Sequence, residues 1–298
     1  MKILITGGRG FIGRNVKEYL EEENKRGADY RIYAPTSSEL DCVDEESVER
    51  CLRENNFDVV LNFAVYADSP ENDRDASRIL EYNLRIFHNF AKHSDLYGRM
   101  FYTGSGAEFD KRYDIRLAKE EEVGRTIPVS QYGLMKYTVN EIIERSDNIY
   151  NLRLWGIYGK YEYYPTKFIS NICCKTIKGL PLSIRQNVYF DYLWIDDFLR
   201  MLDVFLHRKL KYHSYNMCTG SPVDLVTLAH TVQEVSKKDT GLYVCREGLA
   251  KEYTADNSRL LSEIGSDFRY TPLKEAVKKL YDWYVENEDI IDIYKLIY

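Results

Sequence analysis

The stretch Thr6-Gly7-Gly8-Arg9-Gly10-Phe11-Ile12-Gly13 comes directly after a short apolar run and directly before an amphipathic helical pattern. Its three spaced glycines have separate mechanical roles: Gly7 permits a tight turn, Gly10 lets the backbone approach a pyrophosphate, and Gly13 lets the helix pack closely on the strand. The N-terminus of the helix then faces the anion. This order of strand, turn and helix predicts a dinucleotide-binding turn. The residues expected to contact the cofactor there are Gly7, Arg9, Gly10, Phe11, Ile12 and Gly13.

Short β-branched runs alternate with charged amphipathic stretches over the first 155 residues, as is typical of βαβ units and a parallel sheet. The predicted fold class is therefore α/β, a Rossmann doubly wound parallel sheet followed by a smaller α-rich C-terminal substrate lobe. The predicted strands of this part are residues 2–6, 30–34, 59–63, 99–103 and 149–154. The predicted helices are residues 12–23, 45–54, 75–94 and 131–145, with Asp44 as the N-cap of the second.

After Gly159 the pattern loosens, because tyrosines cluster, Pro165 interrupts the backbone and a helical pattern over 168–178 ends at Gly179. Beyond it the sequence predicts helices over 196–207, 222–236 and 273–286, and a strand over 214–217. From this organisation we predict a cofactor-binding domain over residues 1–157, to which residues 196–219 return. The remaining segments, 158–195 and 220–298, are the predicted substrate-binding lobe.

Composition excludes several classes of function. The chain of 298 residues has 41 Lys plus Arg against 47 Asp plus Glu, and its net charge of −6 offers no general basic surface for nucleic acid or an anionic membrane. No apolar run reaches the ~18–20 residues of a membrane helix, and the six cysteines lack metal-ligand spacing. The acidic run 120–122 is interpreted as a solvated loop. We expect a cytoplasmic protein with no metal site and a small-molecule substrate.

The choice of nicotinamide cofactor depends on the end of the second strand, where an Asp or Glu would bind the ribose 2′-OH of NAD. Here the sequence continues with hydroxyl residues, among them Thr36 and Ser37, and the first acid is Glu39. Hydroxyls and the Arg9 guanidinium would hold a 2′-phosphate, which a carboxylate would repel. The sequence therefore favours NADP over NAD.

Tyr132 and Lys136 stand four residues apart, which places them one above the other on one helical face. A phenol is a weak acid near neutral pH, and a neighbouring cation favours the phenolate. Ser105, at the end of the predicted fourth strand, can bind the same substrate oxygen. These three residues are the candidate catalytic group, and Glu108 close by faces either the pocket or the solvent.

Taken together, these motifs resemble the extended short-chain dehydrogenase/reductase family, the NAD(P)-dependent nucleotide-sugar epimerases, dehydratases and reductases. Within it, the segments 38–46 and 58–62 look most like the GDP-fucose synthase and dTDP-4-keto-rhamnose reductase branches, both of which use NADPH to reduce a 4-keto sugar. The motifs that carry the resemblance are the glycine turn, Ser105, the Tyr132/Lys136 pair, Asn83 in the helix after the third strand, and residues 153–159 and 191–197.

The resemblance implies a role for each candidate. Tyr132 would protonate the C4 oxygen as hydride arrives, Lys136 would hold the nicotinamide ribose and lower the pKa of the tyrosine, and Ser105 would orient the oxygen. Three more cofactor contacts follow from it: Asp41 near the adenine, Ala64 near the nicotinamide ribose, and Asn83.

The sequence departs from the family pattern at several positions. Sugar 4,6-dehydratases have an Asp-Glu pair where this chain has Gly106-Ala107, and fucose synthases have a cysteine in place of Ala107. Dehydration, and the epimerisation at C3 and C5 that fucose synthases carry out, thus lack their acid and base groups, whereas C4 reduction needs neither. Gly156 and Phe190 replace family residues that touch the nucleotide diphosphate. The candidate substrate contacts are then Lys160, Lys167 and Arg185.

The sequence favours an NADP-dependent reductase that delivers hydride to C4 of a 4-keto-6-deoxy nucleotide sugar, used in glycan biosynthesis. One alternative is a nucleotide-sugar epimerase with tightly bound NAD(P), since the same three residues would serve it. The other is a non-catalytic NADP-binding sensor. A homodimer is expected because family members commonly pair the Tyr-Lys helix and its neighbour across an interface.

Overall fold

The structure, a computed structural model, describes residues 1–66 and 75–297. The chain forms two compact units. The first comprises Met1–Lys111, Glu120–Leu154 and Asp203–Asn216, and the second comprises Arg112–Lys119, Trp155–Leu202 and Met217–Tyr298. The segment that returns to the first unit is shorter than the predicted 196–219, and residues 112–119 pass to the second unit.

The strands in chain order are β1 (Lys2–Thr6), β2 (Arg31–Tyr33), β3 (Phe57–Asn62), β4 (Tyr97–Ser105), β5 (Ile115–Ala118), β6 (Ile149–Leu154), β7 (Gly156–Tyr158), β8 (Leu182–Asn187), β9 (Tyr189–Phe190), β10 (Tyr192–Trp194), β11 (Ser214–Met217), β12 (Val223–Asp224), β13 (Leu242–Leu249) and β14 (Tyr253–Ala255). The α-helices are α1 (Phe11–Lys25), α2 (Glu45–Asn55), α3 (Ile79–Ala91), α4 (Gln131–Ile143), α5 (Phe168–Ile177), α6 (Ile195–His207), α7 (Leu225–Ser236), α8 (Ser258–Ile264), α9 (Leu273–Glu286) and α10 (Tyr294–Ile297).

The first unit is built on a six-stranded sheet of order β11-β6-β4-β3-β1-β2. Neighbouring strands from β2 to β6 run parallel, with Ile3 opposite Val59 and Met100 opposite Ile149. The chain moves from β1 to β2 on one side and returns to β3 on the other, so the order reverses at β1. Ligands of open α/β sheets bind in the crevice beyond the carboxyl ends of the strands at this reversal. The predicted doubly wound fold is confirmed.

The core of the first unit lies between this sheet and the helices α2, α3 and α4. It contains apolar side chains that are fully buried, among them Val60, Phe87, Met100 and Val139. Such side chains each contribute roughly 1.5–3 kcal/mol on burial. Asp44 caps α2 as predicted, because its carboxylate accepts a hydrogen bond from the Ser47 amide. The end of β4, which carries Ser105, is therefore held in place by this packed core.

The second unit contains helices and several small sheets. Its four-stranded sheet has the order β12-β9-β14-β5, and β7 pairs with β10 and β8 with β13. The sequence pattern did not predict β5, β8, β13 or β14. Strand β13 is exposed along almost its whole length, so it lacks the alternation of buried and exposed residues that identifies a strand. Helices α5 and α9 begin where predicted.

Among the described residues, none of the helices combines the length and the apolar character needed to cross a membrane.

Candidate active site

The glycine turn between β1 and α1 is close-packed. Gly7 has a left-handed φ of 68°, and a Cβ built on it would lie 2.7 Å from the Phe63 carbonyl oxygen. A Cβ on Gly13 would lie 2.3 Å from the Gly7 carbonyl oxygen, which is far inside contact distance. Gly10 is the N-cap of α1 and has no side chain with which to cover the first amides of the helix. The turn thus presents backbone donors at a helix N-terminus, the arrangement that binds phosphate.

A cleft of about 530 Å³ opens beside this turn, in the size range of ligand sites. Seven of the predicted cofactor residues line it: Gly7, Arg9, Gly10, Thr36, Ser37, Asp41 and Ala64. The cleft is also lined by Thr6, Gly8, Pro35, Leu40, Cys42, Val43, Val65, Tyr66, Tyr82 and Ile86. Phe11, Ile12 and Gly13 belong to the first turn of α1 behind this lining.

Thr6 positions the backbone on the far side of the cleft, a role that the sequence analysis missed. Its buried hydroxyl donates to Asn62 Oδ1 at 3.1 Å and accepts the amides of Phe63 and Ala64, each at 3.1 Å. The hydroxyl therefore ties the end of β1 to the residues after β3. This clip places Ala64 in the lining of the cleft.

Asn83, predicted to contact the cofactor, is not among the residues that line the cleft. Its buried amide accepts the Tyr66 N–H at 2.9 Å and donates to the Tyr66 carbonyl at 2.8 Å and to the Ile79 carbonyl at 2.7 Å. A side-chain amide can satisfy both backbone groups of one residue in this way. Asn83 thus holds Tyr66, which does line the cleft.

An acid lies among the residues expected to hold a 2′-phosphate. The Thr36 amide and hydroxyl donate to Glu39 Oε2 at 2.7 and 2.9 Å. These two hydrogen bonds, and the Arg9 guanidinium nearby, lower the pKa of Glu39. The hydroxyl of Thr36 is therefore engaged by a carboxylate within the chain.

The candidate catalytic residues lie at the end of β4 and in the first two turns of α4. Ser105 is the last residue of β4, and its hydroxyl is close enough to Tyr132 to lower the pKa of that phenol. A Cβ on Gly133 would lie 2.6 Å from the Ala107 carbonyl oxygen, so only glycine allows α4 to approach the turn after Ser105 so closely. The structure brings Ser105 and Tyr132 together as predicted from the sequence.

Tyr132 is the open member of this group, with 41% of the residue exposed. Partial burial of the phenol raises the pKa of Tyr132, the Ser105 hydroxyl lowers it, and the Glu108 carboxylate raises it. The net effect keeps the phenol protonated at neutral pH. A protonated phenol at an accessible position can donate a proton to a bound oxygen.

Lys136 lies one helical turn further on and is 2% exposed. Its ammonium donates to Tyr102 Oη at 2.8 Å and to the Thr103 carbonyl at 2.6 Å, and it stands 5.7 Å from the centre of the Tyr132 ring. Burial lowers the pKa of Lys136 to about 7, and the Glu108 carboxylate opposes that shift. Lys136 does not line the cleft; its charge lies beneath Tyr132.

Glu108, whose orientation the sequence left open, and Glu120, which it placed in a solvated loop, are both buried in the first unit. Glu108 is wholly buried and its carboxylate lies 2.6 Å from Arg153 Nε, which is also wholly buried. Glu120, interpreted as part of a solvated loop, is 6% exposed, and its carboxylate accepts the Asn216 amide at 2.8 Å. The solvated-loop interpretation of Glu120 is therefore wrong. The signal for such acids is polar residues in a buried strand, because those residues require partners.

The three predicted substrate contacts lie at separate places in the second unit. Lys160 follows β7 and stands 5.3 Å from the ring of Tyr161. Lys167 is the N-cap of α5, and its charge lowers the pKa of the buried Glu162 carboxyl, which burial raises to about 7. Arg185 is exposed on β8. Their assignment to substrate stays a prediction.

The departure at Gly156 has a structural cause. The Gly156 amide donates to the Asp191 carbonyl at 2.9 Å, and a Cβ on Gly156 would lie 2.4 Å from that same oxygen. The side chain of an asparagine does not fit this approach of β7 to the residue before β10. Gly156 therefore serves the pairing of these strands.

The chain is similar to several known proteins. The sequence profile described as the NAD dependent epimerase/dehydratase family matches residues 3–218. One relative, GDP-6-deoxy-D-talose 4-dehydrogenase of Aggregatibacter actinomycetemcomitans, is 23% identical over 301 residues, which cover 94% of this chain and 97% of the relative.

Two solved structures share the fold over nearly the whole chain. A GDP-L-fucose synthetase from Naegleria fowleri superposes with a TM-score of 0.83 at 16% identity, covering 97% of this chain and 94% of the other. A GDP-mannoheptose C4 reductase from Campylobacter jejuni with NADP bound gives 0.78 at 20% identity, covering 95% and 98%. Among the matching structures, some hold NAD and others NADP.

Proposed function

The chain belongs to the NAD dependent epimerase/dehydratase family, whose members are NAD(P)-dependent oxidoreductases and epimerases of the extended short-chain type, and on that premise we propose that it is an NADP-dependent reductase of a 4-keto-6-deoxy nucleotide sugar. The observation that carries the proposal is the catalytic group itself. Tyr132 is accessible and its pKa is lowered by the neighbouring Ser105 hydroxyl, and Gly106-Ala107 after Ser105 offers no acid or base for elimination.

The reaction requires one hydride and one proton, added to the carbonyl carbon and oxygen of the sugar. When bound, the nicotinamide cofactor supplies the hydride to C4. The Tyr132 hydroxyl gives its proton to the C4 oxygen, and the Ser105 hydroxyl donates a hydrogen bond to the same oxygen. The cationic Lys136 beneath the ring stabilises the phenolate that Tyr132 becomes. A raised pKa of Tyr132 suits this direction, since the acid must hold its proton before the reaction.

The proposal of NADP rests on Arg9, Thr36 and Ser37, which all line the cleft. A guanidinium and hydroxyls at this place suit a 2′-phosphate. Glu39 accepts the Thr36 amide and hydroxyl, and the Arg9 guanidinium acts on its carboxylate, so a 2′-phosphate that binds the Thr36 hydroxyl must displace this carboxylate. Binding of NAD would leave those hydrogen bonds intact. Replacing Glu39 should therefore change the affinity for NADP relative to NAD, which can be measured.

The rival function is epimerisation of a nucleotide sugar, which is supported by a relative named as an epimerase, the ADP-L-glycero-D-manno-heptose-6-epimerase of Brachyspira hyodysenteriae. The same catalytic group would oxidise and then reduce one sugar, and cofactor would not be consumed. A reductase oxidises one NADPH for each sugar reduced. Stoichiometry therefore separates the two functions.

The test is oxidation of NADPH and of NADH, followed at 340 nm, with GDP-, dTDP-, CDP- and UDP-linked 4-keto-6-deoxy sugars. We expect turnover with one of them and a preference for NADPH. Tyr132→Phe removes the proton donor and should lower kcat by 10²–10⁴-fold without weakening cofactor binding. Tyr137→Phe, on the same helix, is the matched control and should keep wild-type activity. Isomerisation of a sugar without net oxidation of cofactor would establish the epimerase instead.

A further inference from the structure

Glu108 is a wholly buried acid directly beneath the catalytic serine. Its Oε1 accepts the Ser105 amide at 3.0 Å, while the Ser105 hydroxyl accepts the Ala107 amide at 3.1 Å. This reciprocal pair is a capping box. The carboxylate also accepts Asn151 Nδ2 at 3.1 and 3.2 Å and Arg153 Nε at 2.6 Å. Both carboxylate oxygens are therefore fully engaged.

The backbone around Glu108 is shaped to admit it. A Cβ on Gly104 would lie 1.9 Å from Asn151 Oδ1 and 2.5 Å from Glu108 Oε1. Only glycine at position 104 leaves room for both polar groups beneath the end of β4. Gly104 is thus required for Glu108 and Asn151 to lie beneath the end of β4.

Arg153 connects Glu108 to the helix that carries the other two catalytic residues. Its Nη2 donates to Asn140 Oδ1 at 2.9 Å, and its Nη1 donates to Asn216 Oδ1 at 3.2 Å. Asn140 belongs to α4, one turn beyond Lys136. Charge-assisted hydrogen bonds of this kind are short and directional. They join the end of β4, β6 and α4 into one polar network.

We propose that Glu108 is a positioning residue of this site, which acts on Ser105 through the hydrogen bond to the Ser105 amide and on Lys136 through its charge. The carboxylate is fully buried and cannot touch a substrate, so it acts only through other residues. This role rests on the proposed catalytic group, and it deepens the account of how that group is held. A buried ion pair is weak evidence of stability by itself, and here its geometry serves orientation.

The charge of Glu108 acts on several neighbours. It raises the pKa of Lys136, against the lowering by burial, and it raises the pKa values of Tyr132 and Tyr102. The balancing charge is Arg153. Without the carboxylate, Lys136 would lose the attractive charge that opposes the effect of burial on its pKa. The protonated form of Lys136 would then be less favoured.

Two variants separate the two actions. Glu108→Gln keeps the length of the side chain and removes its charge, whereas Glu108→Asp keeps the charge and shortens the reach towards Ser105. Glu121→Gln removes one charge from an exposed position and is the matched control. Lys136 is followed by NMR of protein labelled with 13C at the lysine ε-carbon, and Tyr132 by 13C-tyrosine NMR. The signals are assigned by their absence from Lys136→Met and Tyr132→Phe.

We expect the pKa of Lys136 to fall below about 7 in Glu108→Gln and to stay unchanged in Glu121→Gln. In Glu108→Asp the Ser105 amide loses its acceptor, so the Ser105 hydroxyl is no longer held beside Tyr132. Its lowering effect on the pKa of Tyr132 then weakens, and that pKa rises. A displacement of the order of 1 Å at the reacting group costs about 10²-fold, so kcat of Glu108→Asp should fall by about that factor with little change in KM.

These readouts distinguish the two proposals. If the wild-type protein reduces no 4-keto sugar but both pKa changes occur, the proposed function fails and the role of Glu108 stands. If neither pKa moves, the role of Glu108 is refuted, whether or not turnover is found. Should Glu108→Gln not fold, Glu108→Asp decides: an unchanged pKa of Tyr132 overturns the proposal.

Discussion

Replacing Lys136 with methionine removes a lysine that the folded protein holds in an unfavourable place for a charge. In the folded protein the pKa of Lys136 is about 7, against an ordinary value of 10.5. Between these two pH values the unfolded chain binds a proton that the folded protein does not. The contribution of Lys136 to the free energy of unfolding therefore rises with pH across this window and falls as pH drops towards 7.

The size of the effect follows from the two pKa values. Each pKa unit corresponds to ~1.36 kcal/mol, and near pH 7 the folded lysine starts to accept its proton. From pH 7 to pH 9 the wild-type protein should therefore gain about 2 kcal/mol of unfolding free energy relative to Lys136→Met. Packing differences between the two side chains shift the curves by a constant and do not change the slope.

The assay is urea denaturation of both proteins without cofactor, at half-unit steps from pH 7 to pH 9. The other titrating groups are common to both proteins and cancel in the difference. Lys279→Met, at a half-exposed position beside Glu275, is the control and should show no such slope. A difference between wild type and Lys136→Met that stays constant with pH would refute the reasoning, because Lys136 would then keep its proton in the folded protein.

Two further predictions concern the cofactor cleft. Gly13→Ala places a Cβ 2.3 Å from the Gly7 carbonyl oxygen and should lower the free energy of unfolding, measured by urea denaturation, by about 1–3 kcal/mol. The Cβ of Gly10→Ala would stand 3.3 Å from the same oxygen, so this variant should lose less stability. Equal losses in the two variants would contradict the packing argument. Glu39→Gln frees Thr36 and Arg9 from a carboxylate and should raise the affinity for NADPH relative to NADH several-fold in fluorescence titrations, and an unchanged ratio would show that Glu39 does not compete with a 2′-phosphate.

Local sequence patterns predict the structure correctly where a segment's own residues decide its burial. The bounds of β1 and β6 match the prediction because both strands are continuous runs buried in the parallel sheet. The glycine turn was equally predictable, since its three spaced glycines directly follow β1 and open α1. The pairing of Ser105 with Tyr132 followed from placing two motifs at neighbouring strand and helix ends.

The remainder depends on contacts between distant parts of the chain. Glu108 meets Arg153 across β4 and β6, and nothing near either residue in the sequence reveals the other. A signal was present in β6, where Asn151 and Arg153 alternate with leucines and point to the same face. Polar side chains on a buried strand demand a partner. The hydrogen bonds of Asn83 with Tyr66 could not be predicted for the same reason, because they depend on where α3 lies relative to the end of β3.

The close approach of Gly133 to Ala107 means that substitutions at positions 133 and 107 have different consequences. The contact at position 133 is with a carbonyl of the main chain, so any larger residue there would push the Tyr132 helix away from Ser105. The side chain at position 107 plays no part in that contact. A substitution at 107 therefore leaves this main-chain contact in place, whereas any side chain at 133 would break it.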